Sequence, residues 1–200
     1  MFVFGDPKDN QEYIFIHIPK NCGRFVRAAI IHNLYKYIKF FWMPCPERGI
    51  DMGHTPYKMI PFYWNRTNEK VVSYLRNPYD RLISGYFMVY NNIPGDKKTR
   101  FLNWIKNDLI KLEFDDSFKP DIVHFYPQYK FLEDDNGNIP EEIILYKLEE
   151  YNKDTNLLDF TSHNFTLPKY NLDDYYDREA LDIVNFLFEK DFKLLGYEMK

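Results

Sequence analysis

The chain has 200 residues and a net charge of −4. That length suits one α/β domain spanning residues 1–200, with a core that needs no staples, and the mild acidity without a basic block argues against a nucleic-acid partner. Cys22 and Cys45 cannot make a disulfide framework, and no window nears the roughly 18 apolar residues of a membrane span.

The first segment, MFVFGDPKDNQEY, lacks the charged start and apolar run of a signal peptide, so a cytoplasmic protein is expected and the sequons at Asn65 and Asn164 read as chance matches. Residues 14–18 are nearly continuous apolar sequence, as in a strand covered on both faces. Pro19 ends that strand, and Asn21-Cys22-Gly23 reads as a turn. From Arg24 onward Val26, Ile30, Leu34 and Tyr37 recur at helical spacing. Residues 40–64, rich in proline and aromatics, read as irregular excursions over the strand ends. A second strand is predicted over 71–75. Asn77 then serves as N-cap, Pro78 as first helical residue and Asp80 as an acid in the first turn, with Leu82, Ile83, Tyr86 and Tyr90 as the buried stripe. A helix over 101–112, a strand over 143–146 and a last helix over 177–190 complete the pattern. Alternating strands and helices imply a three-layer α/β fold with a mainly parallel central sheet flanked by helices.

Two segments, YIFIHIPKNCGRFVR and KVVSYLRNPYDRLISGYF, share a layout: strand, basic residue at the turn, amphipathic helix. A helix start offers unpaired N–H groups and a positive dipole end, so each segment can hold an anion. Lys20 marks the first and Arg76 the second. Two such sites side by side suit a ligand with phosphate-like groups at both ends. The first loop is not a GxxxxGK[ST] P-loop, and no acidic pair stands ready for magnesium, which disfavours a kinase. Cys22 and Arg27 are spaced one residue short of the usual phosphatase pattern, so Cys22 reads as a loop residue.

These segments resemble the PAPS-dependent sulfotransferases, within them the carbohydrate (Golgi-type) branch. FIHIPKNCG resembles that family's 5′-phosphosulfate loop, FIHIPKTGGTS, and YLRNPYDRLISGYF its 3′-phosphate segment, FVRNPYDRLLSAYY. HFYPQYKFLEDDNGN, YKLEEY and the C-terminal DFKLLGY continue the likeness over almost the whole chain. The resemblance implies a P-loop-like fold and metal-free transfer of a sulfuryl group from PAPS to a hydroxyl of a glycan or glycoconjugate. It implies that Lys20 is the catalytic cation and that the backbone of Asn21, Cys22, Gly23, Arg24 and Phe25 wraps the 5′-phosphate. Arg76 and Ser84 then hold the 3′-phosphate. The family's loop hydroxyls are replaced by Asn21, Arg24 and Phe25, and Arg24 either supplies a charge in their stead or points to solvent. Relatives carry a membrane anchor that this sequence lacks, which points to a bacterial, phage or large-virus source.

A general base needs a pKa near neutrality. His54, in GHTPYKMI, is the first candidate and His124 the next, with Gln128 beside it as a substrate contact. Glu47 and Asp51 are acidic alternatives. His17 reads as a core histidine, His32 and His163 as surface residues. Arg81 reads as a helix partner for Asn77 or Asp80. Trp42, Tyr63 and Trp64 offer stacking faces, though core packing is the stronger account of such residues. Tyr175, Tyr176 and Lys169 lie where the family closes over its nucleotide. Two other readings stay open: a non-catalytic adenosine-bisphosphate or glycan-binding protein, and an ATP-dependent small-molecule kinase.

Overall fold

A computed structural model describes residues 1–6, 10–32, 36–40, 44–45, 50–151, 157–158 and 166–200, with backbone alone for 32, 36–40, 44–45 and 50–52. Strand β1 (Phe2–Gly5) pairs antiparallel with β2 (Glu12–Ile16), which leads into helix α1 (Gly23–His32). Strand β3 (Lys36–Phe40) returns beside β1, and a small ribbon of β4 (Pro44–Cys45) and β5 (Ile50–Asp51) precedes two 3-10 turns and the short helix α2 (Ile60–Tyr63). Strand β6 (Lys70–Leu75) feeds helix α3 (Pro78–Val89), followed by α4 (Lys97–Asn107) and α5 (Gln128–Leu132). Strand β7 (Ile143–Lys147) closes the sheet, and α6 (Arg178–Leu187) and α7 (Glu189–Leu195) end the chain.

Among the described residues the main sheet has the order β3-β1-β2-β6-β7. Its β2, β6 and β7 are parallel, as expected; β1 alone runs antiparallel to both of its neighbours, β2 and β3, so the sheet is mainly parallel with one reversed strand. Residues pack alternately to the two faces. Val3, Ile14, Ile16, Val71 and Leu75 join one core with Ile60, Tyr126 and Phe131. Phe2, Phe4, Phe15, Val72 and Tyr74 join another, covered by Val26, Ala29 and Ile30 of α1. The period-2 pattern of a strand covered on both faces thus yields two cores, one above and one below. A third core lies among α3, α4, α6 and α7, where Tyr79, Tyr86, Phe101 and Trp104 interlock.

Asn77 caps α3 as expected, its side chain accepting from Tyr79 N–H at 3.0 Å. The helix expected over 101–112 begins earlier, because Asp96 caps it through Thr99 N–H at 2.8 Å. The last helix is two: Phe188 leaves helical geometry, at φ −109° and ψ 20°, and α7 restarts at Glu189. Gly196, at φ 69°, ends α7 in the left-handed conformation that suits glycine. Among the described residues, no helix is long and apolar enough to cross a membrane.

Candidate functional site: two anion cradles and a histidine row

Strands β2 and β6 lie side by side and parallel, with Ile16 opposite Ser73, and the Ser73 hydroxyl donates to Ile16 O at 2.9 Å. Their carboxyl ends therefore deliver the two basic turns to the same edge, where open α/β sheets commonly bind ligands. Lys20 and Cys22 both adopt left-handed backbone, at φ 70° and 58°. For residues with a Cβ that costs about 1–2 kcal/mol each. The strained turn sets the N–H groups of Cys22, Gly23 and Arg24 at the start of α1. None of the three donates to a described residue, whereas Phe25 N–H already bonds Cys22 O at 2.8 Å. Successive N–H groups at the positive end of a ten-residue helix make an anion concavity. Gly23 is required: a Cβ there would stand 1.7 Å from His17 Nε2.

Arg76 is buried at the end of β6. Its Nη1 donates to Lys20 O at 3.3 Å and its Nη2 to Pro168 O at 2.7 Å. Its Nε has no hydrogen-bond partner among the described residues. Lys20 and Arg76 are thus neighbours. The segment over Arg76 is tied down a second time, for Asp80 accepts from the backbone N–H of Tyr170. Burial raises the Asp80 carboxyl above its usual range, while Arg76 and that N–H pull the other way. Ser84 is half-buried one turn beyond Asp80 on α3.

The cations crowd one another. Burial, then the charges of Arg76 and Arg24, lower Lys20 to about 8. Burial lowers Arg81 to about 10, with Asp191 opposing it. The Cys22 thiol is pushed up by burial to about 11, which keeps it protonated at neutral pH and removes the thiolate chemistry of a phosphatase.

The histidines form a row leading to the same loop. His54 is buried, and its Nδ1 lies 2.8 Å from His17 O. A carbonyl only accepts, so Nδ1 carries a proton. The rings of His17 and His54 are 4.4 Å apart, and His124 meets His54 edge-on at 5.6 Å. His17 packs on Gly23 and is held neutral, first by burial and then by the charge of His54. Among the described residues no three His, Cys, Asp or Glu side chains are grouped to hold a metal ion.

Several sequence expectations are corrected. Gln128 is fully buried and cannot touch a substrate: its Oε1 accepts from Asn21 Nδ2 and Arg76 N–H, and its Nε2 donates to Arg76 O. The Arg81 main chain bonds Asn77 O at 2.9 Å, but its side chain reaches neither Asn77 nor Asp80 and donates through Nε to Pro19 O at 2.9 Å, tying α3 to the first turn. Tyr176 is core, its hydroxyl bonded to Tyr79 O, and Tyr175 packs on Phe87 and Phe101. Trp64 donates to Glu69, and both it and Tyr63 pack against the core. Trp42, Glu47 and His163, with the side chains of His32 and Asp51, lie outside the described residues.

Sequence reasoning missed Asp191. Its carboxylate caps α5, accepting from Gln128 and Tyr129 N–H at 2.8 Å each, and burial raises it to about 6. An acid in an amphipathic helix carries no signal of such a task. Comparison of the chain with protein-family models, with curated proteins and with solved structures returns no match.

Proposed function

We propose that this chain is a PAPS-dependent sulfotransferase of P-loop-like fold, acting on a hydroxyl of a carbohydrate or glycoconjugate. One observation carries the reading: the Lys20 turn and Arg76 meet at adjacent parallel strand ends, Arg76 Nη1 on Lys20 O, with a histidine row abutting the same turn at Gly23. The likeness of both segments to the family's two phosphate-binding motifs supports it.

In this reading the N–H groups of Cys22, Gly23 and Arg24 hold the 5′-phosphate, and Lys20 Nζ stabilises the charge that grows on the bridging phosphate oxygen. His54 Nε2 takes the acceptor's proton as the acceptor oxygen bonds to sulfur and the sulfur–oxygen bond to phosphate breaks. The side chain of Asn21 points inward and its N–H donates to Ile18 O at 3.3 Å, so the loop's open main-chain donors begin at Cys22. Arg76 and Ser84 serve the 3′-phosphate, which competes with Pro168 O for the guanidinium.

Transfer of radiolabelled sulfate from PAPS to a panel of glycan acceptors tests the proposal. Lys20→Ala is expected to abolish turnover and weaken binding of adenosine 3′,5′-bisphosphate about 10- to 100-fold, the worth of one charged hydrogen bond. His54→Ala is expected to remove turnover while leaving bisphosphate binding near wild type. Tight binding without transfer to any acceptor would identify a binding protein instead. A melting temperature raised by ATP with magnesium, and not by the bisphosphate, would identify a kinase.

A further inference from the structure

The two basic turns are far apart in sequence, yet one buried amide touches both. Gln128, fully buried at the start of α5, accepts with Oε1 from Asn21 Nδ2 at 2.7 Å and from Arg76 N–H at 3.0 Å. Its Nε2 donates to Arg76 O at 2.8 Å. Asn21 Nδ2 also donates to Tyr74 O at 2.7 Å, so the amide pair fastens the first turn to the end of β6. Asn21 lies between the left-handed residues Lys20 and Cys22, where the backbone is least able to hold itself. Asp191 holds Gln128 in turn, through the main-chain N–H.

We propose that Gln128 is a positioning residue that sets the first anion turn and the Arg76 turn in a single fixed register, so that neither can move without the other. The role rests on the reading of those turns as phosphate cradles, but the coupling itself can be read without any nucleotide. Both polar atoms of the Gln128 amide are spent on these segments, while Asn21 Oδ1 has no partner among the described residues, so the coupling runs through the Gln128 side of the pair. Its usefulness follows from the chemistry proposed: a ligand gripped at two phosphates gains from cradles whose spacing is set before it arrives.

The test uses Gln128→Met, which keeps the bulk and removes all three amide bonds, in the full chain. Amide hydrogen exchange without ligand is expected to quicken at least about tenfold both over residues 18–25 and at the Arg76 N–H, with β7 unchanged. Binding of adenosine 3′,5′-bisphosphate is expected to weaken by at least about tenfold, while Asn21→Ala loosens residues 18–25 alone. Quickened exchange in only one segment, or unchanged exchange with a lowered melting temperature, would overturn the coupling. If Gln128→Met does not fold, Asn21→Ala decides: wild-type exchange over 18–25 overturns the proposal, and faster exchange there with Arg76 N–H unchanged supports it. A wild-type protein that binds no bisphosphate would refute the sulfotransferase reading while leaving the exchange result to judge the coupling.

Discussion

The first anion turn and the Arg76 turn end neighbouring strands, yet they are built in opposite ways. The first presents main-chain donors: three consecutive N–H groups make no bond to any described residue, and the left-handed turn that carries them is locked by side chains from behind. The second presents a side chain that is already engaged, with both terminal nitrogens of Arg76 given to carbonyls of Lys20 and Pro168. The first cradle is therefore set by packing, which a ligand need not alter. The second is set by hydrogen bonds, which a phosphate must replace. A rigid cradle is sensitive to shape, and an exchangeable one to the strength of its competing partner.

The sharpest break in that contrast comes from shape. Gly23→Ala drives a methyl into the His17 ring, which rests beside the stacked pair Phe2 and Phe15 and against the ring of His54. It is expected to destabilise the fold by about 1–3 kcal/mol and to weaken bisphosphate binding by more than about 100-fold, measured by thermal melting and calorimetry. Alanine in place of Gly137, whose Cβ position has nothing within 4 Å, is expected to leave binding unchanged, although the residue's φ of 79° makes that variant mildly less stable.

Exchange of partners is the next effect in size. Arg76→Lys keeps a charge but not the fork that reaches two carbonyls at once. Bisphosphate binding is expected to weaken about tenfold, and proteolysis near residues 166–170 to rise even without ligand. In the wild type, adding the bisphosphate should raise cleavage in that segment if Pro168 gives way to phosphate. Unaltered cleavage on binding would mean that Arg76 does not exchange its partners.

The smallest effect is with pH. Lys20 is lowered to about 8, so the free protein loses that charge as pH rises through this value and keeps it below. Affinity for the bisphosphate is therefore expected to be flat at neutral pH and to fall above about pH 8, by about tenfold per unit at most. The decline should vanish in Lys20→Ala. A decline that persists in that variant would assign the titration to another group.

Much of this was legible in the chain. The apolar run before Pro19, the Asn77-Pro78 start of α3 and the helical stripe through Leu82, Ile83 and Tyr86 are local signals, and each produces its element. The antiparallel strand β1 was not readable, since four residues at a chain start show no pattern until β2 lies beside them. The break at Phe188 was hidden too, because an amphipathic stripe continues smoothly across it. At the site, the basic residues and Gly23 stand out in sequence. Gln128 is picked out by its motif but its task is not, and Asp191 is not picked out at all, because their partners are mostly main-chain groups that carry no residue identity.

By itself the sequence determined the strand before each basic turn, the start of the helix after it and where each turn falls, since those depend on spacing and capping within a few residues; strands β1 and β3 were not among them. Tertiary structure alone decided that Lys20 and Arg76 would touch, that His17 would press on Gly23 and that a buried glutamine would join the two turns. The reason is physical. Local preference acts through neighbours in the chain, whereas the register of parallel strands and the need to satisfy buried polar groups act between residues brought together only when the sheet and its covering helices close.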